Sequence, residues 1–317
     1  MQKFLSLDRN TLLGLVAILL WSSTVALARS ISESLGPLAA GSSVYLTAGS
    51  FLTAYTFWKE RSFKRLQSLP RKYVYGCGAL FLLYTTALFL ALGFAENRSQ
   101  TIEIGLLNYL WPAFTILFSL PILGNKASLW LIPGTLLALL GVFLVLTHET
   151  TVSWASLLTN LTSNPWAYGL GFLAAISWGL YSNLARRWGD ANSGGAVLLF
   201  TLGSGVTFLL IGFFWRETSA WNLKTVAEVA FLGLATALAY VFWDLSMRAG
   251  KMVFVAASSY LTPLFSTIVS CLYLGVRPGP GLWLGCAVII AGSFLSWLSV
   301  HPADVRKLPE EMRQEIS

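Results

Sequence analysis

Residues Asn108–Phe118 read NYLWPAFTILF, and residues Ser259–Val269 read SYLTPLFSTIV. The second stretch repeats the first with a shift of 151 positions, so that four residue types recur in the same order. These residues are Tyr109, Leu110, Pro112 and Phe114 in the first copy and Tyr260, Leu261, Pro263 and Phe265 in the second. A proline-interrupted apolar segment at corresponding places in two halves of a chain is typical of the binding site of a membrane transporter. We therefore expect a binding site where the two copies meet.

The composition excludes an ordinary soluble protein. Hydrophobic residues make up 56% of the 317 residues and charged residues 11%, whereas soluble domains contain about 25% charged residues. Polar surface is too scarce to cover such a chain in water, so we predict an integral membrane protein in contact with the lipid bilayer. The formal charge of +7 does not indicate nucleic-acid binding, because no basic stripe alternates with aromatic residues.

The sequence gives no support for metal, nucleotide or catalytic chemistry. Both histidines, His148 and His301, fall at predicted helix ends, so we expect no metal site. The cysteines lie in apolar runs without CxxC pairing and are interpreted as packing residues: Cys77, Cys271 and Cys286. No GxxxxGK loop occurs, so we expect no ATP coupling and no cofactor. Ser204 lies between two glycines without a neighbouring base, and we expect no enzymatic activity.

Apolar runs of about 20 residues cross a bilayer as helices, and the chain contains ten of them. They cover approximately residues 10–30, 38–58, 74–95, 100–123, 128–147, 166–187, 194–215, 225–249, 252–274 and 279–300. We predict an all-α integral membrane protein whose ten transmembrane helices form two inverted five-helix repeats around a central cavity. The predicted segments are a first repeat at 1–150, a periplasmic connector at 151–165, a second repeat at 166–300 and a cytoplasmic tail at 301–317.

The distribution of positive charge predicts the orientation. With a cytoplasmic N-terminus, sixteen of the 21 Lys and Arg residues fall in cytoplasmic segments, as positively charged loops do in membrane proteins. Both termini are therefore expected in the cytoplasm. Because each repeat contains an odd number of spans, the second copy enters the membrane from the opposite side. Inverted repeats of this kind suit alternating access.

Aromatic residues recur at related positions in the two halves. Trp21 and Trp178 differ by 157 positions, and Tyr84 and Tyr240 by 156, so we expect each pair to face the other across the symmetry axis. The recurrence of the first span also argues against a cleaved signal peptide. Isolated Trp residues at span ends are instead typical of the aromatic belt at the membrane interface, and this interpretation applies to Trp58, Trp215 and Trp297.

The candidate substrate-binding residues are these aromatic pairs, the residues that flank the two prolines, and Trp243. They are Trp21, Tyr84, Asn108, Tyr109, Trp111, Trp178, Tyr240, Trp243, Ser258, Ser259 and Tyr260. Pro112 and Pro263 are candidates for helix breaking and gating, because proline lacks a backbone N–H and leaves the carbonyl one turn earlier without its usual donor. A cavity with aromatic walls and polar groups suits an aromatic zwitterion, whose ammonium can lie over an indole face.

The stretches LxGLVAILLWS at 12–22 and IEIGLLNYLWP at 102–112, together with the ten spans and the paired prolines, resemble the drug/metabolite transporter superfamily in its EamA branch. The resemblance covers almost the whole chain. It implies export of amino acids from a bacterium across its inner membrane, with aromatic amino acids foremost and threonine and methionine as further candidates. We expect a monomer.

The coupling of transport is open at this stage. Proton-coupled carriers place acidic residues or histidines within the bilayer, and the acids nearest the core here are Glu103 and Asp244. We interpret Asp244 as the partner of Arg248 one turn further along the helix. Facilitated diffusion is therefore favoured, with a proton-coupled antiporter and a drug or other metabolite exporter as alternatives. A membrane-embedded enzyme and a non-transporting scaffold are weaker alternatives.

Four glycines recur at a spacing of seven on two spans. They are Gly134 and Gly141 in the fifth span, and Gly285 and Gly292 in the tenth. Small residues on one helix face let a second helix approach closely. We interpret these glycines as packing positions.

Overall fold

The computed structural model describes residues 7–62, 64–147, 152–190, 195–215, 217–266, 268 and 280–301. Several expectations concern residues outside this part of the chain: the tail from residue 302, the start of the connector, the end of the ninth expected span, His148 and Cys271. Among the described residues, regular structure is almost wholly helical, which confirms the all-α prediction. The exception is one antiparallel pair of two-residue strands, β1 at Lys126–Ala127 and β2 at Val300–His301.

Helices lie within each of the ten expected spans. The first half of the chain contains α1 at Arg9–Leu35, α2 at Pro37–Glu60, α3 at Lys64–Gln67, a π-helical turn at Lys72–Cys77 that continues as α4 at Gly78–Gly93, α5 at Arg98–Asn108, α6 at Trp111–Leu123 and α7 at Leu131–Thr147. The second half contains α8 at Trp154–Ser163, α9 at Pro165–Trp188, α10 at Val197–Phe214, α11 at Leu223–Ala249, α12 at Met252–Ser258 with a 3-10 turn at Ser259–Leu261, and α13 at Pro280–Leu298.

By length and composition, four of the helical segments within the described residues are sufficient to cross a bilayer. They are Lys72–Gly93, Ser99–Leu123, Val197–Phe214 and Leu223–Ala249. Shorter apolar helical segments also occur, among them Leu131–Thr147 and Met252–Ser266. The full number of crossings and their inverted relation stay predictions.

Local capping determines where several helices begin. Asp8, Asn97, Ser153 and Asn222 accept hydrogen bonds from the first turns of α1, α5, α8 and α11, respectively, as N-cap residues do. Partial burial raises the pKa of Asp8, but hydrogen bonds from Thr11 and from the backbone of Asp8 and Asn10 together outweigh this effect and leave that pKa below its usual value.

The start of α2 is capped from a distant part of the chain. Gly36 has a φ of 84°, a backbone conformation that suits glycine. The carboxylate of Glu217 accepts hydrogen bonds from the Leu38 and Ala39 amides at 3.1 and 2.9 Å. A negative charge at a helix N-terminus is favourable, so Glu217 stabilises the beginning of α2.

The chain divides into two compact units, and each unit draws on both halves of the sequence. Among the described residues, unit 1 draws on residues 7–82 and 184–255, and unit 2 on residues 83–183 and 256–301. In unit 1, α1 packs along α11, and α2 packs against α10 and α11. In unit 2, α7 packs along α13, and α5 contacts both α7 and α8.

The contact between α7 and α13 depends on the repeated glycines. A Cβ atom on Gly134 would lie 2.7 Å from the Ser296 amide nitrogen, and one on Gly141 would lie 2.5 Å from the Ile289 amide nitrogen. A Cβ atom on Gly285 would lie 2.8 Å from Val145 Cγ2 of α7, and one on Gly292 would lie closer still to the Ala138 amide nitrogen. The prediction that these glycines are packing residues is confirmed.

Candidate functional site

The first repeated motif interrupts a helix. The helix α5 ends at Asn108 and α6 begins at Trp111, so Tyr109 and Leu110 form the break. The Leu110 amide donates to the Leu107 carbonyl at 3.1 Å, one residue nearer than in an α-helix. Pro112 follows in the first turn of α6, where a missing N–H is tolerated. The break expected from the sequence is therefore present.

The second motif is interrupted at the corresponding place. Ser259–Leu261 form a 3-10 turn after α12, and the helix then continues to Ser266. One expectation is corrected here: the Ser259 carbonyl, one turn before Pro263, is not left free. It accepts hydrogen bonds from the Thr262 amide and from Thr262 Oγ1, the latter at 2.7 Å. A threonine beside the proline thus replaces the missing backbone donor.

In unit 2, Trp178 on α9 is the centre of an aromatic cluster. Its ring centroid lies 4.6 Å from that of Tyr84, 4.9 Å from that of Tyr181, and 6.4 Å from that of Trp111 in an edge-on arrangement. Trp178 is 1% exposed and Trp111 is 6% exposed. Of these residues, Tyr181 was not anticipated from the sequence, because it has no aromatic counterpart at the repeat spacing.

Two polar atoms beside the helix breaks, an amide oxygen and a hydroxyl oxygen, lack hydrogen-bond partners among the described residues. Asn108 Oδ1 and the Tyr260 hydroxyl are buried and have no hydrogen-bond partner among the described residues. Tyr260 is fully buried in an apolar cluster with Val142 and Leu264, and Tyr109 packs against the same cluster. Buried polar atoms without partners are uncommon in folded proteins and call for an explanation.

Other predicted polar positions are already occupied by hydrogen bonds within the protein. Ser259 is buried and its hydroxyl donates to the Ala256 carbonyl. Ser258 is half-buried one residue earlier.

Asn183 was missed by sequence reasoning. Its Nδ2 donates to the Thr115 and Gly179 carbonyls at 2.9 and 2.8 Å. Its buried Oδ1 has no hydrogen-bond partner among the described residues.

In unit 1, a second aromatic cluster surrounds Tyr240 on α11. The Trp21 ring lies 5.6 Å from Tyr240 and 5.2 Å from Trp243, centroid to centroid. The hydroxyls of Tyr45 and Tyr240 are hydrogen-bonded at 2.7 Å, and Phe81 lies 4.8 Å from Tyr240. Sequence symmetry identified Trp21 and Tyr240, and Trp243 was a further candidate, but the repeat gave no signal for Tyr45 or Phe81.

The candidate residues are thus divided between the units. Trp21, Tyr240 and Trp243 belong to unit 1, and the remaining candidates belong to unit 2. The expected pairing of Trp21 with Trp178, and of Tyr84 with Tyr240, stays a prediction. Trp58 and Trp215 are 69% and 56% exposed, as belt residues would be.

Both acidic residues near the core are buried and hydrogen-bonded. Asp244 is 1% exposed and accepts from Arg248 Nε and from the Tyr73 hydroxyl, each at 2.8 Å, which confirms the predicted pairing with Arg248. Glu103 is fully buried and accepts from Tyr168, Ser156 and Asn160. Among the described residues, no group of His, Cys, Asp and Glu side chains could hold a metal ion.

Comparison with known proteins agrees with a repeated transporter architecture. The profile of the EamA-like transporter family matches the chain twice, at residues 9–147 and 165–298. The chain belongs to the EamA-like transporter family. It is consequently a multi-pass membrane protein, and its family consists of transporters rather than enzymes.

Several relatives of this EamA-like transporter carry functional names. The aromatic amino acid exporter YddG of Escherichia coli (strain K12) is 32% identical over 296 residues, covering 93% of this chain and 98% of that protein. YddG of Ancylobacter novellus is 28% identical over 93% of this chain and 99% of that protein. A probable terminal-alkyne amino-acid exporter of Streptantibioticus cattleyicolor is 25% identical over 58% of this chain and 60% of that protein.

The fold of the EamA-like transporter resembles that of a solved structure. This crystal structure superposes with a TM-score of 0.77 at 26% sequence identity. The superposition covers 92% of this chain and 99% of the other.

Proposed function

We propose that this EamA-like transporter exports amino acids, aromatic ones foremost, from the bacterial cytoplasm across the inner membrane. Threonine and methionine are further candidate substrates. The proposal rests on one observation above all: the aromatic cluster around Trp178 is accompanied, in the same unit, by the unpartnered Asn108 Oδ1 at a proline-linked helix break. The names of the relatives agree with this substrate class.

The residues of unit 2 match the chemistry of an aromatic zwitterion. A substrate ring can pack against Trp178, Trp111 and Tyr84, where aromatic contacts add about 0.5–1.5 kcal/mol beyond burial. Asn108 Oδ1 is an acceptor and suits the substrate ammonium. The Tyr260 hydroxyl can donate to the substrate carboxylate. These contacts would satisfy both orphan atoms on binding.

The state of the two buried acids supports transport by facilitated diffusion. Asp244 is held by Arg248 and Tyr73, and Glu103 by three donors. A proton-carrying residue must exchange protons with both sides of the membrane. Both of these carboxylates instead accept hydrogen bonds from several donors within the protein, which disfavours such exchange. We infer alternating access without ATP or a coupling ion, with a monomer as the working unit and both termini in the cytoplasm.

The decisive experiment measures movement of labelled tryptophan, phenylalanine, threonine and methionine in liposomes containing the purified protein, with and without a pH gradient. The informative variant is Asn108→Leu, which keeps the side-chain size and removes the acceptor. Loss of a hydrogen bond to a charged group costs about 1.5–3 kcal/mol, or roughly 10- to 160-fold in affinity. Trp58→Ala, at a 69% exposed position, is the control and should transport normally.

Each outcome has a distinct meaning. Transport that ignores the pH gradient and weakens only in Asn108→Leu supports the proposal. Accumulation driven by the pH gradient would replace facilitated diffusion by proton antiport. Absence of amino acid movement, with the protein still monodisperse, would favour a drug or other metabolite as the substrate.

A further inference from the structure

The helix α8, between the fifth and sixth expected spans, has an unusual distribution of side chains. Trp154, Leu158 and Leu161 follow a spacing of four and three residues and share one face of the helix. Their side chains are 61%, 63% and 40% exposed. The ten residues of α8 include no charged side chain and none that is fully buried. Trp154, Leu158 and Leu161 therefore form an apolar stripe on α8 that the protein leaves uncovered.

A different side of α8 is bound to the protein. Ser156 Oγ donates to Glu103 Oε1 at 2.8 Å, and Asn160 Nδ2 donates to Glu103 Oε2 at 3.0 Å. Glu103 is fully buried and also accepts a hydrogen bond from Tyr168 on α9. Breaking such contacts would leave a buried carboxylate short of donors, which is costly. Glu103 therefore fixes the rotation of α8 about its own axis.

The apolar stripe continues a surface that faces lipid. On α7, one helix face carries Ile132, Leu136 and Leu140, which are 63%, 62% and 43% exposed. Phe143 lies one turn further along the same face, and its ring stacks on Trp154 of α8 at 4.5 Å and an angle of 9°. The exposed face of an apolar helix in a multi-pass membrane protein contacts acyl chains, and the stacked rings extend that face onto α8.

We propose that α8 is an interfacial helix: Trp154, Leu158 and Leu161 insert between the lipids at the membrane surface, and Glu103 holds the helix in this orientation. The helix would thus have three environments. Its Ser156 and Asn160 side faces the protein, its Leu158 side faces lipid, and its Thr159 side faces water. A tryptophan at the interface and an apolar stripe on a short helix are both typical of membrane-surface helices.

The test places a nitroxide spin label on two adjacent exposed residues of α8. The background replaces Cys77, Cys271 and Cys286 by serine, and the labelled variants are Leu158→Cys and Thr159→Cys. Both proteins are reconstituted into vesicles of phosphatidylethanolamine and phosphatidylglycerol. Collision of the label with oxygen, which concentrates in lipid, and with a water-soluble nickel complex is then measured by power saturation.

We expect the label at position 158 to collide several-fold more with oxygen and several-fold less with nickel than the label at position 159. Equal access to nickel at both positions would overturn the proposal, because the apolar face would then lie in water. Low access to both reagents at position 158 would also overturn it, since a protein partner or a second copy would then cover this face.

The role of Glu103 is tested with Glu103→Ala in the same two labelled backgrounds. In Glu103→Ala, Ser156 and Asn160 lose the carboxylate that both bind. The difference in oxygen and nickel collision between the labels at positions 158 and 159 should then disappear. A difference that persists in a monodisperse Glu103→Ala protein would show that Glu103 does not hold the helix. Elution of the variant at the same volume as the parent excludes unfolding as the cause.

Discussion

At the scale of single residues, α11 offers two ion pairs with the same spacing and opposite burial. The side chains of Asp244 and Arg248 are each 1% exposed, and Arg248 Nε lies 2.8 Å from Asp244 Oδ2. The side chains of Lys224 and Glu228 are 77% and 12% exposed, and Lys224 Nζ lies 3.6 Å from Glu228 Oε1. Asp244→Ala leaves a buried guanidinium without its carboxylate, so we expect the free energy of unfolding to fall by about 3–5 kcal/mol. The measurement is thermal unfolding of the purified protein in detergent.

Lys224→Ala is the matched control, because an exposed pair contributes only about 0–1 kcal/mol. Similar losses of stability in the two variants would contradict the argument that burial, rather than spacing, sets the strength of these pairs. The sequence predicted the pairing of Asp244 with Arg248 from their separation. It could not predict the Tyr73 hydroxyl as a further donor, because Tyr73 is distant along the chain and has no patterned relation to α11.

At the scale of elements, replacing a glycine by alanine should change the stability in opposite directions at two helix positions. A Cβ atom at Gly141 would lie 2.5 Å from the Ile289 amide nitrogen of α13, whereas at Gly169 on α9 it would meet no atom within 4 Å. Gly141→Ala should therefore destabilise the protein by about 1–3 kcal/mol through overpacking. Gly169→Ala should stabilise it by about 0.5–1 kcal/mol, because alanine favours helix. Thermal unfolding of both variants tests the opposite signs.

A rise in stability for Gly141→Ala would mean that α7 and α13 can separate without cost. Sequence patterns were informative for these helices because a glycine every seven residues lies on one face. They were less informative for α8, which lies in a segment that was expected only as a connector and is rich in serine, threonine and asparagine. Its capping interaction between Ser153 and Ser156 is the local signal that could have indicated a helix.

At the scale of the whole molecule, the repeats in the sequence and the compact units of the structure are different divisions of the chain. The shift of 151 positions identifies related segments, but it does not specify which helices pack together. In unit 1, α1 and α2 from the first half pack against α11 and α10 from the second; in unit 2, α7 packs along α13. Contacts between distant helices leave no local pattern, so this interleaving could not be predicted from the sequence.

The interleaving predicts that neither half of the chain folds alone. A fragment of residues 1–150 would expose the faces of α1, α2 and α7 that α11, α10 and α13 cover in the intact protein. Membrane helices are held together largely by such packing, so each fragment expressed alone should aggregate or be degraded. Fragments 1–150 and 151–317 expressed together should copurify through an affinity tag on either one. A monodisperse fragment that unfolds cooperatively by itself would contradict this prediction, since its helices would then need no partner from the other half.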